Sequence, residues 1–328
     1  MLHVYITRPI PDNGIAMLKS AGYRISLQKE RRDLSTKELI TTLATKKPDA
    51  LLSFLTNRID SRVLSAAPSL KIISNFAVGY DNIDVATAHE KGIVISNTPC
   101  IEVVNSVAEH TFALMLALSR RIVEADTFTR SKKYKGWDPD LLVGHDVYGK
   151  TLGIVGLGAI GRGVAQRANK GFGMKILYTD MKRDEGFEKE YGATFMPLEK
   201  LLAEADIISL HVPLLPSTHH LITGKTLKLM KKTALLVNTA RGPVVDEKAI
   251  LKALYAKKIG GFALDVFECE PHIDCVPADR YELAKLSAVI MTPHIASATH
   301  GAREGMAREA AQNIIDFFGG KQPKNLIK

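Results

Sequence analysis

The sequence predicts an α/β protein built from two parallel-sheet domains. Three observations carry that expectation. Its 328 residues exceed what one ordinary core holds, since domains usually run to roughly 100 to 200 residues. Short apolar runs alternate with helical patterns in two successive series, as they do where crossover helices join parallel strands. A Gly-rich turn, Gly156-Leu157-Gly158-Ala159-Ile160-Gly161, lies between one such run and one such helix.

The first series places strands near residues 4–7, 50–54, 71–75 and 93–96, with helical patterns at 12–21 and 61–66. Asn97-Thr98-Pro99 breaks the chain, and the first domain crossover is expected there. Residues 106–118 carry Ala108, Phe112, Met115 and Leu116 among apolar positions on nearly every face, so that helix should be buried. The stretch 134–149, with Trp137 and Pro139, has no period and reads as an extended connection. The second series places parallel strands near 152–155, 175–179, 207–211, 234–238, 262–266 and 289–292, enough for a full doubly wound domain. Residues 301–318 set Met306, Ala310, Ile314 and Phe317 on one side of a closing amphipathic helix.

Bulk composition narrows the function classes. Hydrophobic residues at 46% and charged ones at 24% are the balance of a globular protein, not of a disordered or fibrous one. The formal charge of +9 is spread without the basic block that a nucleic acid needs, so it reads as solvated faces that steer anionic ligands. Three cysteines, Cys100, Cys269 and Cys275, are an odd count without a C-x-x-C pair. Neither a disulfide framework nor a zinc site is expected, and a reducing cytoplasm fits. The first residues read as a strand without the regions of a signal peptide, and no apolar run approaches a membrane span.

In the Gly-rich turn, Gly156 permits the tight bend, Gly158 lets the backbone approach a pyrophosphate, and Gly161 lets the helix pack on the strand. Free N–H groups at the helix start, on Ala159, Ile160 and Gly161, attract phosphate. Asp180 ends the next strand at about the 20-residue separation of a carboxylate that accepts from the adenosine ribose hydroxyls. It would repel a 2′-phosphate, which favours NAD over NADP. Lys182 and Arg183 keep NADP open, because either could pair with that phosphate.

Three further segments end in polar groups just past strand C-termini, where open α/β sheets bind ligands: Asn238 to Asp246, Leu264 to Pro271, and Thr292 to Ser297. Hydride transfer needs a group to bind an acid or carbonyl, a proton donor and acceptor, and a group that tunes it. Arg241, His294 and Glu270 supply these in turn.

With these residues in place, the sequence resembles the D-isomer-specific 2-hydroxyacid dehydrogenase family over nearly its whole length. Residues 77–84, Ala-Val-Gly-Tyr-Asp-Asn-Ile-Asp, and the stretch from Gly136-Trp137-Asp138-Pro139 to Gly156 look most like the glyoxylate and hydroxypyruvate reductase branch. The resemblance implies two Rossmann-like doubly wound domains, with a discontinuous substrate domain at 1–98 and 294–328 and an NAD-binding domain at 99–293. It implies that Arg241 holds the carboxylate and carbonyl of a small anionic 2-oxo acid. The amides of Val78 and Gly79 would grip that carboxylate from the other domain, with Leu55, Thr56, Tyr80 and Arg303 shaping the pocket. His294 would give a proton to the carbonyl oxygen as hydride arrives, and Glu270 would bond the other ring nitrogen and stabilise its positive charge. Asp265, Thr239 and Ala240 would contact the nicotinamide end, and Val212, Pro213 and Thr218 the ribose side. Family members are generally homodimers, and Trp137 would reach the partner's active site or simply pack the connecting arm.

Seven other histidines, His3, His89, His110, His219, His220, His272 and His300, read as structural or surface residues. Other readings stay open: a phosphoglycerate or phosphite dehydrogenase, or an NAD-sensing corepressor that binds without turnover. Phosphite enzymes of the family carry Lys where this chain has Val78, which argues against that variant.

Overall fold

A computed structural model describes residues 1–270 and 278–328. The chain forms two compact units, Met1–Val103 with Ser297–Lys328, and Val104–Ala296. The crossing falls inside a helix and not at Asn97-Thr98-Pro99, because helical structure starts at Ile101 and runs unbroken to Ser119. The return falls after Ala296, so His294 belongs to the second unit.

The first unit opens with β1 (His3–Ile6), α1 (Asp12–Ser20), β2 (Arg24–Leu27), α2 (Thr36–Lys46), β3 (Ala50–Phe54), α3 (Ser61–Ser65), β4 (Ile72–Phe76), α4 (Val85–Glu90) and β5 (Val94–Ser96). The chain continues through α5 (Ile101–Ser119), α6 (Ile122–Arg130), β6 (Thr151–Val155), α7 (Ala159–Phe172), β7 (Lys175–Thr179), α8 (Glu185–Tyr191) and β8 (Thr194–Phe195). Next come α9 (Leu198–Glu204), β9 (Ile207–Leu210), α10 (Gly224–Leu227), β10 (Leu235–Asn238), α11 (Glu247–Tyr255), β11 (Gly261–Leu264), α12 (Ala278–Leu283) and β12 (Val289–Met291). Finally α13 (His300–Phe318) and β13 (Leu326–Ile327) rejoin the first unit.

The first sheet has the order β13-β5-β4-β3-β1-β2. It is parallel except for β13, which runs antiparallel to β5 with Leu326 opposite Ser96. The second sheet is parallel throughout, in the order β12-β11-β10-β9-β6-β7-β8. Its six expected strands are present, and the short β8 adds an edge. Side chains alternate between two cores, as a sheet covered on both faces requires: Leu235 and Val237 of β10 join one, and Leu236 joins the other.

Helix α5 is long and apolar enough to cross a membrane by length and composition alone, with a mean hydropathy of 1.3, although the sequence reading expected no such run. Much of its apolar surface is core: Ala108, Phe112, Leu114, Met115 and Leu118 are buried in the second unit, while Ile101 at its start is exposed. In the first unit α13 closes against the sheet. Ser74 Oγ donates to Ala310 O at 3.0 Å, and Asn313 Nδ2 donates to Asn97 O at 2.9 Å. A Cβ on Gly14 of α1 would lie 2.7 Å from Ala307 O, so glycine there sets how closely α1 and α13 approach.

One expectation is corrected. Cys269 is disulfide-bonded, while Cys100 is a free thiol. An odd cysteine count excludes complete pairing, not a single bond. His272 and Cys275 lie outside the described residues.

Candidate active site

The coenzyme turn is built by β6 feeding α7. Gly156 has φ of 94°, and a Cβ there would lie 2.7 Å from His211 O and 3.0 Å from Val212 Cγ1. A Cβ on Gly161 would collide with Gly156 O, so this glycine allows α7 to pack on β6. Gly158, by contrast, faces open space, and as N-cap it offers no side chain to the first amides of α7. An open glycine followed by uncapped helix amides suits the diphosphate of a dinucleotide.

Asp180 sits against this turn. Its carboxylate accepts from Leu157 N and from Met181 N, each at 2.6 Å. Leu157 is buried, whereas Gly158 and Ala159 are exposed and Ile160 is half-buried, so the ligand face of the turn is its second half. Past β9, Thr218 Oγ1 donates to Pro213 O at 2.6 Å and accepts from Leu215 N at 2.8 Å, which closes the loop beside Val212. His211 turns inward: its Nε2 pairs with Ser209 Oγ at 2.8 Å, its Nδ1 is buried without a partner among the described residues, and burial pushes its pKa down to about 3.

The loops after β10, β11 and β12 carry the predicted chemical residues. After β10, Asn238 accepts from Ala240 N at 3.0 Å and donates to Arg241 O at 2.9 Å, fixing Thr239, Ala240 and Arg241. A Cβ on the next residue, Gly242, would collide with the Phe267 backbone, so the loops after β10 and β11 lie against each other. The β11 loop delivers Glu270, whose Oε2 is 2.8 Å from His294 Nδ1. His294 follows β12 with φ of 54°, and its N–H donates to Thr292 O at 3.0 Å.

Asp265 holds the His294 loop in this left-handed shape. Its fully enclosed carboxylate accepts from Ile295 N at 2.9 Å, Ala296 N at 2.8 Å and Thr292 Oγ1 at 2.6 Å. Burial alone would raise its pKa, but His110, Thr292 and the two amides outweigh that and hold the pKa low. His110, set aside in the sequence reading, reaches in from α5, with Nε2 3.0 Å from Thr292 Oγ1 and 3.4 Å from Asp265 Oδ1. From the same helix Ser106 Oγ donates to Ala296 O at 2.7 Å, and Thr111 Oγ1 meets Thr239 Oγ1 at 3.0 Å.

In the first unit, Val78 is exposed and Gly79 half-buried in the loop after β4. An asparagine network that the sequence reading did not find shapes this loop. Asn75 Nδ2 donates to Gly79 O at 3.0 Å and to Asn82 Oδ1 at 3.1 Å, and Asn97 Nδ2 donates to Val78 O at 2.6 Å. Asn82 Nδ2 donates to Phe54 O at 3.2 Å and Asn57 O at 3.0 Å, which ties in the half-buried Leu55. No local spacing signals this network, since its bonds join three separate loops. Trp137 of the second unit is 84% exposed.

A family model described as "D-isomer specific 2-hydroxyacid dehydrogenase, NAD binding domain" matches residues 112–296. A protein of Korarchaeum cryptofilum named glyoxylate reductase is 49% identical over 325 residues, covering 99% of this chain and 95% of that one. A solved structure of a protein from Thermus thermophilus superposes with a TM-score of 0.90 at 36% identity, covering 100% of both chains. An NADPH-dependent glyoxylate/hydroxypyruvate reductase from Sinorhizobium meliloti, solved with NADP and malonate, gives a TM-score of 0.85 at 28% identity, covering 99% of this chain and 96% of that one.

Proposed function

The chain belongs to the D-isomer specific 2-hydroxyacid dehydrogenase family and is an NAD-dependent oxidoreductase, and from that premise we propose that it reduces glyoxylate or hydroxypyruvate with His294 as proton donor. The observation that carries this reading is the 2.8 Å bond between His294 and Glu270, in the same unit as the Gly156 turn. Bound NADH supplies the hydride that reaches the carbonyl carbon. Glu270 accepts from His294 Nδ1, which leaves Nε2 as the nitrogen that gives its proton to the carbonyl oxygen. One 2-oxo acid, one NADH and one proton thus yield one 2-hydroxy acid and NAD.

In the second unit Arg241 is the proposed group for the substrate's carboxylate and carbonyl, and in the first unit the amides of Val78 and Gly79, with Leu55, are the proposed substrate contacts. Gly156 to Gly161, with Asp180, Val212, Pro213 and Thr218, take the coenzyme's diphosphate and adenosine side. Thr239, Ala240 and Asp265 take its nicotinamide end. In this reading the first unit, Met1–Val103 with Ser297–Lys328, binds substrate and the second, Val104–Ala296, binds NAD.

A second copy of this chain is the proposed partner. Helix α6 has no buried residue, and Ile122, Val123, Trp137, Val143 and Tyr148 are all more than half exposed in the single chain. Apolar surface of that extent asks for a cover. A cytoplasmic setting belongs to the same proposal.

The test is NADH oxidation across a panel of 2-oxo acids. Turnover with glyoxylate or hydroxypyruvate is expected, and a flat trace across the panel would refute the reading. His294→Ala should lower kcat by about 100-fold or more, on the scale of lost general acid catalysis, while the Kd for NADH stays within about 2-fold. Unchanged turnover would remove His294 from the proton path.

A further inference from the structure

We propose that Glu188 is a coenzyme-selectivity residue: it holds the Arg183 guanidinium against α8 and so withholds it from a 2′-phosphate. The proposal rests on the reading that the adenosine ribose lies beside Asp180. The family accommodates both coenzymes, since the Sinorhizobium meliloti protein was solved with NADP. This chain carries Lys182 and Arg183 two and three positions after its ribose acid, and an arginine there is the usual partner of a 2′-phosphate. What keeps the arginine from that role has to lie in where its side chain goes.

Arg183 is held by both oxygens of one carboxylate. Its Nε donates to Glu188 Oε1 at 2.9 Å and its Nη2 to Glu188 Oε2 at 2.7 Å, a two-pronged pairing. An ordinary exposed ion pair contributes little, because two mobile side chains must be ordered to form it. Here the acid is ordered already. Glu188 is only 13% exposed, and Tyr178 Oη donates to its Oε1 at 2.8 Å from a ring buried in the core.

The same hydroxyl wires the rest of the connection. Tyr178 Oη accepts from Asp184 N at 2.7 Å, Asp184 Oδ1 accepts from Phe187 N at 2.8 Å, and Asp184 Oδ2 accepts from Arg162 Nη2 at 2.5 Å. At the other end Asp180 is fixed to Leu157 N and Met181 N. The segment from Asp180 to Asp184 is thus tied at both ends, with its acid at the coenzyme turn and its arginine on α8. Lys182 is exposed and has no ion pair among the described residues, so it serves as a control.

The experiment is calorimetry with 2′,5′-ADP and 5′-AMP, which differ in the ribose phosphate and report binding without turnover. Glu188→Gln should tighten 2′,5′-ADP by about 5- to 10-fold, the scale of releasing one ion pair, with 5′-AMP unchanged. Arg183→Ala in the parent should change neither ligand, and added to Glu188→Gln it should erase the gain. Tyr178→Phe, which keeps the ring and loses the hydroxyl, should shift 2′,5′-ADP the same way by about 2-fold, and it stands in if Glu188→Gln does not fold. Lys182→Ala should leave the effect of Glu188→Gln intact. The proposal is overturned if neither Glu188→Gln nor Tyr178→Phe separates the two ligands, or if Arg183→Ala alone weakens 2′,5′-ADP. Loss of 5′-AMP binding in the parent would instead refute the underlying placement of the ribose, and the proposal with it.

Discussion

A histidine with φ of 54° stands in a region that costs a side chain roughly 1 kcal/mol or more, so something must hold His294 there. Asp265 does so through Ile295 N and Ala296 N. Asp265→Asn replaces one acceptor oxygen by a donor and should cost about 2 kcal/mol in a urea titration, the range for hydrogen bonds to a charged group. It should also lower kcat, because the His294 loop loses its anchor, and an unchanged kcat with intact stability would refute the anchor. At this scale the sequence was partly legible. His294, Glu270 and Arg241 stand out because a polar residue just past a parallel strand has a chemical reason to be there, and the first two are paired in the structure. His110 was not, since its partner Thr292 is 182 positions away and nothing local distinguishes it from a surface histidine.

Among elements, the β6 turn and α7 were readable in full because each glycine meets a separate local demand. Those demands can be pulled apart experimentally. Gly158→Ala meets nothing within 4 Å, so thermal stability should be retained while NADH affinity falls about 10-fold or more, the methyl taking the diphosphate's place. Gly161→Ala collides with Gly156 O and should lower stability by several kcal/mol before binding is considered. Equal behaviour of the two variants would refute this division. The end of β9 sets a pH dependence through His211. Its ring takes a proton below the ordinary value of 6.5 in the unfolded chain but only near 3 when folded, so stability is lost progressively as pH falls from about 6.5 toward 3. His211→Gln should flatten that acid limb in equilibrium unfolding followed from pH 7 to pH 4, and an identical slope would show that other groups dominate. The strands that escaped the sequence reading lack a signal of their own: β2 has no fully buried position, and β8 and β13 are two residues each. Helix α2 escaped it too, although the Ser35 to Glu38 capping box marks its start.

In the whole molecule, the first unit is made of two pieces of chain separated by the entire second unit. Alternation of strands and helices announced two α/β halves, but not that α13 belongs to the first. That knowledge came from family resemblance, because an amphipathic stripe does not say which sheet it covers. The second unit is continuous, and its sheet needs no chain from outside it. It should therefore fold first, since the first sheet must close a far longer loop. In pulsed hydrogen exchange during refolding, amides of β6 and β10 should gain protection before those of β5, and simultaneous protection would contradict this order.

The late arrival of α13 also bears on how the protein is made. At roughly 5 to 20 residues per second, synthesis of the inserted unit occupies on the order of 10 to 40 s. Through that interval Ser74, which ends up bonded to Ala310, and the strands beside it wait on the nascent chain without their helical lid. The cell must shelter an unfinished sheet for as long as the ribosome takes to deliver its cover, so demand for chaperones is written into the order of the segments.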